Sequence, residues 1–255
     1  MDLQLNGKTA LVTGASKGIG KATALALARE GCNVILVARD VRALDETAAQ
    51  IVGSSHVRAD WVAADLAMPE GVARVVASAQ QVDILINNAG AIPPGGILDV
   101  ADEAWRTAWD LKVFGYINLI RAMYPAMVQR RAGVVVNIIG SAGEKFPAAY
   151  LAGAAGNAAL MALTRAMGKG SSGHGIRVVG INPGATATER SEMLLRHRAG
   201  AEFGDPERWR ELTASLPFGR DAKPEEIADA AVFLASPRSG YTSGTILTID
   251  GGAAN

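Results

Sequence analysis

The sequence predicts an α/β fold, a doubly wound parallel sheet of about seven strands with helices on both faces. Three observations carry that prediction. Short apolar, β-branched runs alternate with longer stretches of helical periodicity, the apolar runs do not alternate with polar residues, and a glycine-rich loop joins the first run to the first helix. A continuous apolar run belongs to a strand buried on both sides, and regular strand–helix alternation makes successive strands parallel.

The first strand is "TALVT", followed by a helix over 18–30. The second, "NVILVA", leads into the helix "DVRALDETAAQIV", whose Asp40 suits an N-terminal cap. Third come "WVAAD" and the helix "PEGVARVVASAQ"; fourth, "DILINNAG" and a long helix over 102–131; fifth, "GVVVNIIG" and a helix over about 152–168. "IRVVGINPG" and "TILTID" supply the last two strands. No internal repeat or low-complexity tract interrupts the series, and 255 residues are within reach of one domain with a substantial core. The long polar insertion at 188–217 follows the sixth strand and holds Met193, Phe203 and Trp209 among charges. Ligands of open α/β sheets bind beyond the carboxyl ends of the strands, so this segment is expected to be a substrate lid, with a surface helical hairpin as the plainer alternative.

Charge and cysteine content narrow the partners. The 25 Lys and Arg balance 25 Asp and Glu, which leaves no global field to draw the chain toward nucleic acid or anionic lipid. A small molecule is the expected partner. The single cysteine, Cys32, excludes a disulfide framework or thiolate metal cluster within one chain and fits a reducing compartment. The opening "MDLQLNGKTALVTG" has no signal-peptide pattern, and no segment reaches the roughly 18 apolar residues of a membrane span, so a soluble cytoplasmic protein is expected. His56, His174 and His197 lack metal-ligand spacing.

The loop after the first strand reads "TGASKGIG". Gly14 permits a tight turn, Gly18 lets backbone approach a pyrophosphate, and Gly20 lets helix and strand pack closely, while the helix N-terminus turns unpaired N–H groups toward phosphate. Ser16, Lys17 and Ile19 stand between the glycines. A structural turn uses the same glycines, but a strand before the loop and a helix after it favour a nucleotide site in a Rossmann-like sheet. "AADL" at 63–66, "NNAG" at 87–90, "NPG" at 182–184 with Thr188, and "FLASPRSGYTSGTILTIDGG" follow in order. On these motifs and their spacing the chain, over about 5–252, resembles the short-chain dehydrogenase/reductases.

That resemblance implies Asp65 and Leu66 beside an adenine, Asn87, Ala89 and Gly90 along the nucleotide groove, and Pro183, Gly184 and Thr188 near a nicotinamide. Read without it, Asn87 and Asn88 serve equally as strand-end caps and "PG" as a turn. Charge argues the choice of dinucleotide. An acid ending the second strand would grip the ribose hydroxyls of NAD(H), but "VARD" sets Ala38 and Arg39 there, and Arg39 suits a 2′-phosphate with Lys17 as a second cation. NADP(H) is expected, with NAD(H) the alternative.

The family's chemistry rests on an Asn, a Ser, a Tyr and a Lys. The register, fixed by "NIIGSAG" on one side and by "LTR" and "NPG" on the other, sets Lys112 at the Asn position, Gly140 at the Ser, Gly153 at the Tyr and Asn157 at the Lys. The resemblance thus implies a divergent member without the usual set. Tyr150, three residues before the vacated tyrosine position, is the candidate replacement. A phenol titrates near ~10 and a neighbouring ammonium lowers that value, so Lys112 and Tyr150 are expected to form a split acid–base pair. Lys112 is expected to point into the pocket, with Leu111, Val113 and Phe114 packed around it; a snorkelling lysine and a loop-anchoring tyrosine are the alternatives. Ser141 is expected to point away, because side chains alternate along a strand. Glu144 and Lys145 are within reach of the mouth of the cleft but read first as solvated loop charges, Asn157 as a donor to the nicotinamide ribose, and the two glycines as room for a bulkier substrate or a water.

These features lead first to an NADP(H)-dependent oxidoreductase that moves hydride between nicotinamide and a carbonyl/alcohol substrate. A catalytically silent NADP(H)-binding protein and a non-redox lyase or hydratase, with Lys112 or Glu144 as base, are the alternatives. The resemblance also implies a homotetramer or homodimer built on the helices at 102–131 and 152–168.

Overall fold

Each predicted strand forms in the computed structural model, which describes residues 1–79 and 81–253, except for the side chains of His197 and Ala201. In chain order the elements are β1 (Thr9–Thr13), α1 (Gly18–Arg29), β2 (Asn33–Ala38), α2 (Val41–Ser54), β3 (Ala59–Ala63), α3 (Pro69–Ser78), β4 (Ile84–Asn87), α4 (Asp102–Trp109) and α5 (Gly115–Arg130). Then come β5 (Gly133–Ile138), α6 (Ala142–Lys145), α7 (Leu151–Ser171), β6 (Ile176–Pro183), α8 (Glu189–Phe203), α9 (Trp209–Thr213), α10 (Pro224–Ala235) and β7 (Ile246–Ile249). The sheet runs β3-β2-β1-β4-β5-β6-β7 with every pair parallel. The chain winds outward from β1 to β3 and then crosses back to β4, so the crevice of the doubly wound sheet opens beyond the carboxyl ends of β1 and β4.

The pleat explains the continuous apolar runs. Ala10 and Val12 of β1, with Ile84 and Ile86 of β4, face a core shared with Leu27 of α1, Leu44 of α2 and Ile227 of α10. The intervening Leu11 and Leu85 face the opposite core, with Val75 of α3 and Leu119 and Met127 of α5. Both sides of the sheet are therefore dry, and alternate residues need the same apolar character. Asp40 caps α2 as expected, accepting the Ala43 amide at 3.1 Å. Arg177 reaches from β6 to the C-terminal end of α10 and donates to the carbonyls of Leu234 (2.7 Å), Ala235 (3.2 Å) and Ser236 (2.9 Å). Those groups have no partner within the helix.

Two elements differ from expectation. The third strand lies two residues earlier than "WVAAD", because its pairing with β2 starts at Val34 and Ala59. The helix expected over 102–131 is interrupted at Asp110–Phe114 by a π turn between α4 and α5. Cys32 is fully buried; its thiol donates to the Leu5 carbonyl at 3.4 Å, and burial, helped by Asp83, pushes its pKa up to about 12. Among the described residues no helix is long and apolar enough to cross a membrane.

Candidate active site

The glycine loop is held by the strand beside it. The Asn88 amide and the Ala89 amide donate to the Thr13 hydroxyl at 2.8 and 3.0 Å, and Asn88 Nδ2 donates to the Thr13 carbonyl at 3.0 Å. Gly14 has φ +65 and Gly18 φ +55, and a Cβ at Gly14 would come within 2.8 Å of Asn88 Nδ2. A Cβ at Gly20 would strike the Gly14 carbonyl. The first turn of α1 contains no acid and no side-chain cap, so its orphan amides remain for an anion. This cradle fits a dinucleotide pyrophosphate. Asn88, read from sequence as a mere strand-end cap, is the clamp that shapes it.

The other predicted nucleotide residues occupy different surroundings. Asn87 is buried, and its amide donates to Asn137 Oδ1 at 2.9 Å; Asn137 in turn donates to Thr164 Oγ1 at 2.9 Å. Asn87 thus braces β4 against β5, while its own Oδ1 has no partner among the described residues. Leu66 is core, Ile19 packs against core, and Ala89 packs on the opposite face. Ser16 is partly buried in the loop. At the rim, Arg39 is largely exposed with its Nη1 3.8 Å from Asp65 Oδ2, and Asp65 Oδ1 accepts the Ala67 amide at 3.0 Å. Asp40, also exposed, spends one carboxylate oxygen on the cap of α2, while Arg39 stays largely exposed at the rim. Pro183 accepts the Ser141 amide at 2.9 Å, and a Cβ at Gly184 would lie 2.6 Å from Asp250 Cβ.

A second cluster lies where the π turn, the entry to α7 and the first turn of α8 meet. A π turn inserts one residue into a helix and re-aims the side chains beside it. Lys112 sits in it, its stem lying over Gly90, where an added Cβ would come within 2.8 Å of Lys112 Cδ. Its ammonium donates to the Ile139 carbonyl at 2.5 Å. Lys112 therefore points inward as expected, although of its expected packing neighbours Val113 is buried and Phe114 is exposed. Burial, with the charge of Arg190 second, pushes the Lys112 pKa from 10.5 down to about 8.

Tyr150 precedes α7, in a loop tied to the preceding segment by Gly95 N–H to the Ala149 carbonyl (2.7 Å) and Leu151 N–H to the Gly95 carbonyl (3.1 Å). Its ring stands directly over Gly153, where a Cβ would collide with Tyr150 Cδ1, Cε1 and Cζ. Over Gly140, at φ +134, lies the amide of Asn157, whose Nδ2 donates to the Gly140 carbonyl at 3.2 Å. The volume expected to be empty is thus filled by Tyr150 and Asn157. One of the two Nδ2 hydrogens is engaged by the Gly140 carbonyl, which leaves the second for the ribose contact expected from sequence, and Asn157 Oδ1 is buried without a partner among the described residues.

The electrostatic expectation for Tyr150 needs correction. Burial raises its pKa, and the cation that opposes the rise is Arg190, by its charge and by a hydrogen bond to the phenol, rather than Lys112. Arg190, near the start of α8, also donates to the Ile92 carbonyl. Sequence reasoning missed it because an arginine in a charged segment carries no local signal of the loop it will meet.

Other expectations change too. β5 ends at Ile138, so strand alternation does not reach Ser141, which is buried at the turn into α6. Glu144 is partly buried and accepts from Thr248 Oγ1 at 2.8 Å, while Lys145, exposed as expected, pairs with Asp250 at 3.0 Å, so both tie α6 to the β7 end of the sheet. His56 is exposed before β3, and His174 is exposed with its ring edge-on to Tyr124; the His197 side chain lies outside the described residues. No group of metal-binding side chains occurs among the described residues. The segment at 188–217 forms α8 and α9, and its first turn grips the glycine loop: the Thr188 methyl lies over Gly18, and Glu189 pairs with Lys17 at 3.0 Å. Thr188 Oγ1 accepts the Ser191 amide at 3.2 Å as the cap of α8.

Comparison with known proteins agrees with the fold. A family model described as Enoyl-(Acyl carrier protein) reductase matches residues 14–254. The chain is 37% identical to the galactitol 2-dehydrogenase (L-tagatose-forming) of Cereibacter sphaeroides, over 98% of this chain and 96% of that one. Among solved structures, L-sorbose reductase from Gluconobacter frateurii, complexed with NADPH and L-sorbose, superposes with a TM-score of 0.93 at 34% identity, covering 100% of this chain and 99% of that chain. An NAD+-bound xylitol dehydrogenase superposes with a TM-score of 0.90 at 29% identity, covering 98% and 100%.

Proposed function

Because the chain belongs to the short-chain dehydrogenase/reductase family of oxidoreductases, we propose that it is a divergent member, NADP(H)-dependent and acting on a carbonyl/alcohol substrate, in which Tyr150 takes the part of the family's tyrosine. The observation that carries this reading is the Tyr150 ring over Gly153. A phenol is supplied from one helical turn earlier to the space above the position that lacks one. Arg39, with Asp40 drawn into its cap, supports NADP(H) over NAD(H). The NADPH complex of the related L-sorbose reductase supports the same choice.

When bound, the dinucleotide supplies or accepts a hydride. The α1 amides hold the pyrophosphate and Arg39 the 2′-phosphate. Tyr150, kept protonated at neutral pH by burial, holds the proton given to the carbonyl oxygen in reduction and recovered in oxidation. The Arg190 guanidinium stabilises the charge left on the phenol oxygen, and the Lys112 ammonium adds a second positive charge where an oxyanion develops. The segment at 188–217 serves as the substrate lid, a reading supported by the hold of its first turn on the glycine loop and Tyr150. The protein assembles as a homotetramer or homodimer.

The test is NADPH oxidation across aldehydes, ketones and quinones by wild type, Tyr150→Phe and Lys112→Met, with nucleotide binding measured on all three. Tyr150→Phe is expected to lower turnover by about 10²–10⁴-fold with nucleotide binding intact. Unchanged turnover would remove Tyr150 as the proton donor, and wild type that binds NADPH but turns nothing over would favour a silent nucleotide-binding protein.

A further inference from the structure

We infer that the substrate carries a carboxylate beside its reacting carbonyl or hydroxyl, and that Arg190 binds it. This deepens the oxidoreductase reading and rests on it for the reacting group alone.

The argument is one of charge balance. Two cations, Lys112 and Arg190, lie in this cluster: the Lys112 ammonium is held at the Ile139 carbonyl, and Arg190 donates to the Ile92 carbonyl and acts on both Lys112 and Tyr150. Their partners are neutral: the Ile139 carbonyl for Lys112, and the Ile92 carbonyl and the Tyr150 hydroxyl for Arg190. Among the described residues no carboxylate lies within ion-pair distance of either. The acids flanking Arg190 in α8 are engaged elsewhere, Glu189 by Lys17 at 3.0 Å and Glu192 by Arg196 at 2.8 Å. The Lys112 ammonium is desolvated and faces the like charge of the partly buried Arg190, with no carboxylate to offset either, and an anionic ligand between them relieves that repulsion.

The shape of Arg190 narrows the anion. Arg190 donates from Nη2 to the Ile92 carbonyl beside Tyr150, and the remaining N–H groups of its planar fork match the two coplanar oxygens that a carboxylate offers in bidentate pairing. A carboxylate held there places the adjoining carbonyl beside the Tyr150 hydroxyl. A neutral polyol has hydroxyls for the same donors but no charge to offset the two cations.

Oxamate, a carboxylate joined to a carbonyl that does not accept hydride, and its uncharged counterpart oxamide are the probes. Their binding is measured by calorimetry, with and without NADP+, on wild type, Arg190→Met and Arg190→Lys. NADPH oxidation with 2-oxo acids and with neutral ketoses is followed in parallel. Wild type is expected to bind oxamate at least tenfold more tightly than oxamide, and Arg190→Met to lose about tenfold to a hundredfold in oxamate affinity. Arg190→Lys, which keeps the charge but not the fork, is expected to fall between. No oxamate binding to wild type, equal binding of oxamide, indifference to both substitutions, or tighter Arg190-dependent binding of inorganic phosphate would each overturn the inference. Arg190-dependent oxamate binding without NADPH oxidation would instead sink the oxidoreductase reading and leave this one standing, whereas reduction of ketoses with indifference to oxamate would do the reverse.

Discussion

Lys112 is ionised at neutral pH in surroundings that oppose its charge. Its pKa falls from 10.5 to about 8 through burial and the facing Arg190. Between those values the unfolded chain binds a proton that the folded one does not, so this residue makes stability rise with pH from about 8 to 10.5. Below that window the native state carries the full penalty of a buried ammonium. Lys112→Met is therefore expected to be more stable than wild type at pH 7, with a gap that narrows as pH rises past 8. Urea unfolding at pH 7 and at pH 9.5 measures it, and parallel pH profiles would mean that Lys112 titrates as an ordinary lysine. At this scale the sequence was informative where register alone sufficed: counting from flanking motifs brought Lys112 and Tyr150 to notice. It was silent on Arg190 and on the rotation of Asn157 toward Gly140, because both depend on which loops meet in space.

Helix α7 shows how one element carries opposite constraints within a few residues. A Cβ at Gly168 would strike the backbone of Gly244 and lie 2.7 Å from the Val178 carbonyl, so the glycine sets the distance between α7 and the turn before β7. Gly168→Ala is expected to cost about 1–3 kcal/mol through overpacking. Gly170, two residues on, meets nothing within 4 Å and is exposed, so Gly170→Ala is expected to gain about 0.5–1 kcal/mol from helix propensity. Chemical denaturation of the pair checks both signs, and equal effects would show that the contact with Gly244 yields. Strands and helices were legible at this scale because their periods are written locally. The π turn at Asp110–Phe114 was not, since one extra residue leaves the apolar pattern of a long helix almost unchanged, and the edge of β3 was misjudged because pairing with β2 decides where it begins.

The whole molecule has a face that the sheet does not cover. Ile97, Trp105, Trp109 and Phe114 line a groove along α4 and the π turn, with Ile97 and Phe114 exposed, and self-association is the expected cover. Light scattering on the eluting protein is expected to give a dimer or tetramer, and Phe114→Glu to shift it toward smaller species; a wild-type monomer would reject this assembly. The doubly wound topology was legible because alternation of elements admits few windings, whereas the meeting of α8 with the glycine loop spans most of the chain and left no trace in any window of sequence. Cys32 offers one more consequence. Sealed against the Leu5 carbonyl, with its pKa near 12, it stays unreactive toward alkylating reagents while the fold is closed. As the sole thiol in the chain, its rate of modification is a clock for global opening, read by mass spectrometry without any label, and a cysteine introduced elsewhere on the surface would be modified alone.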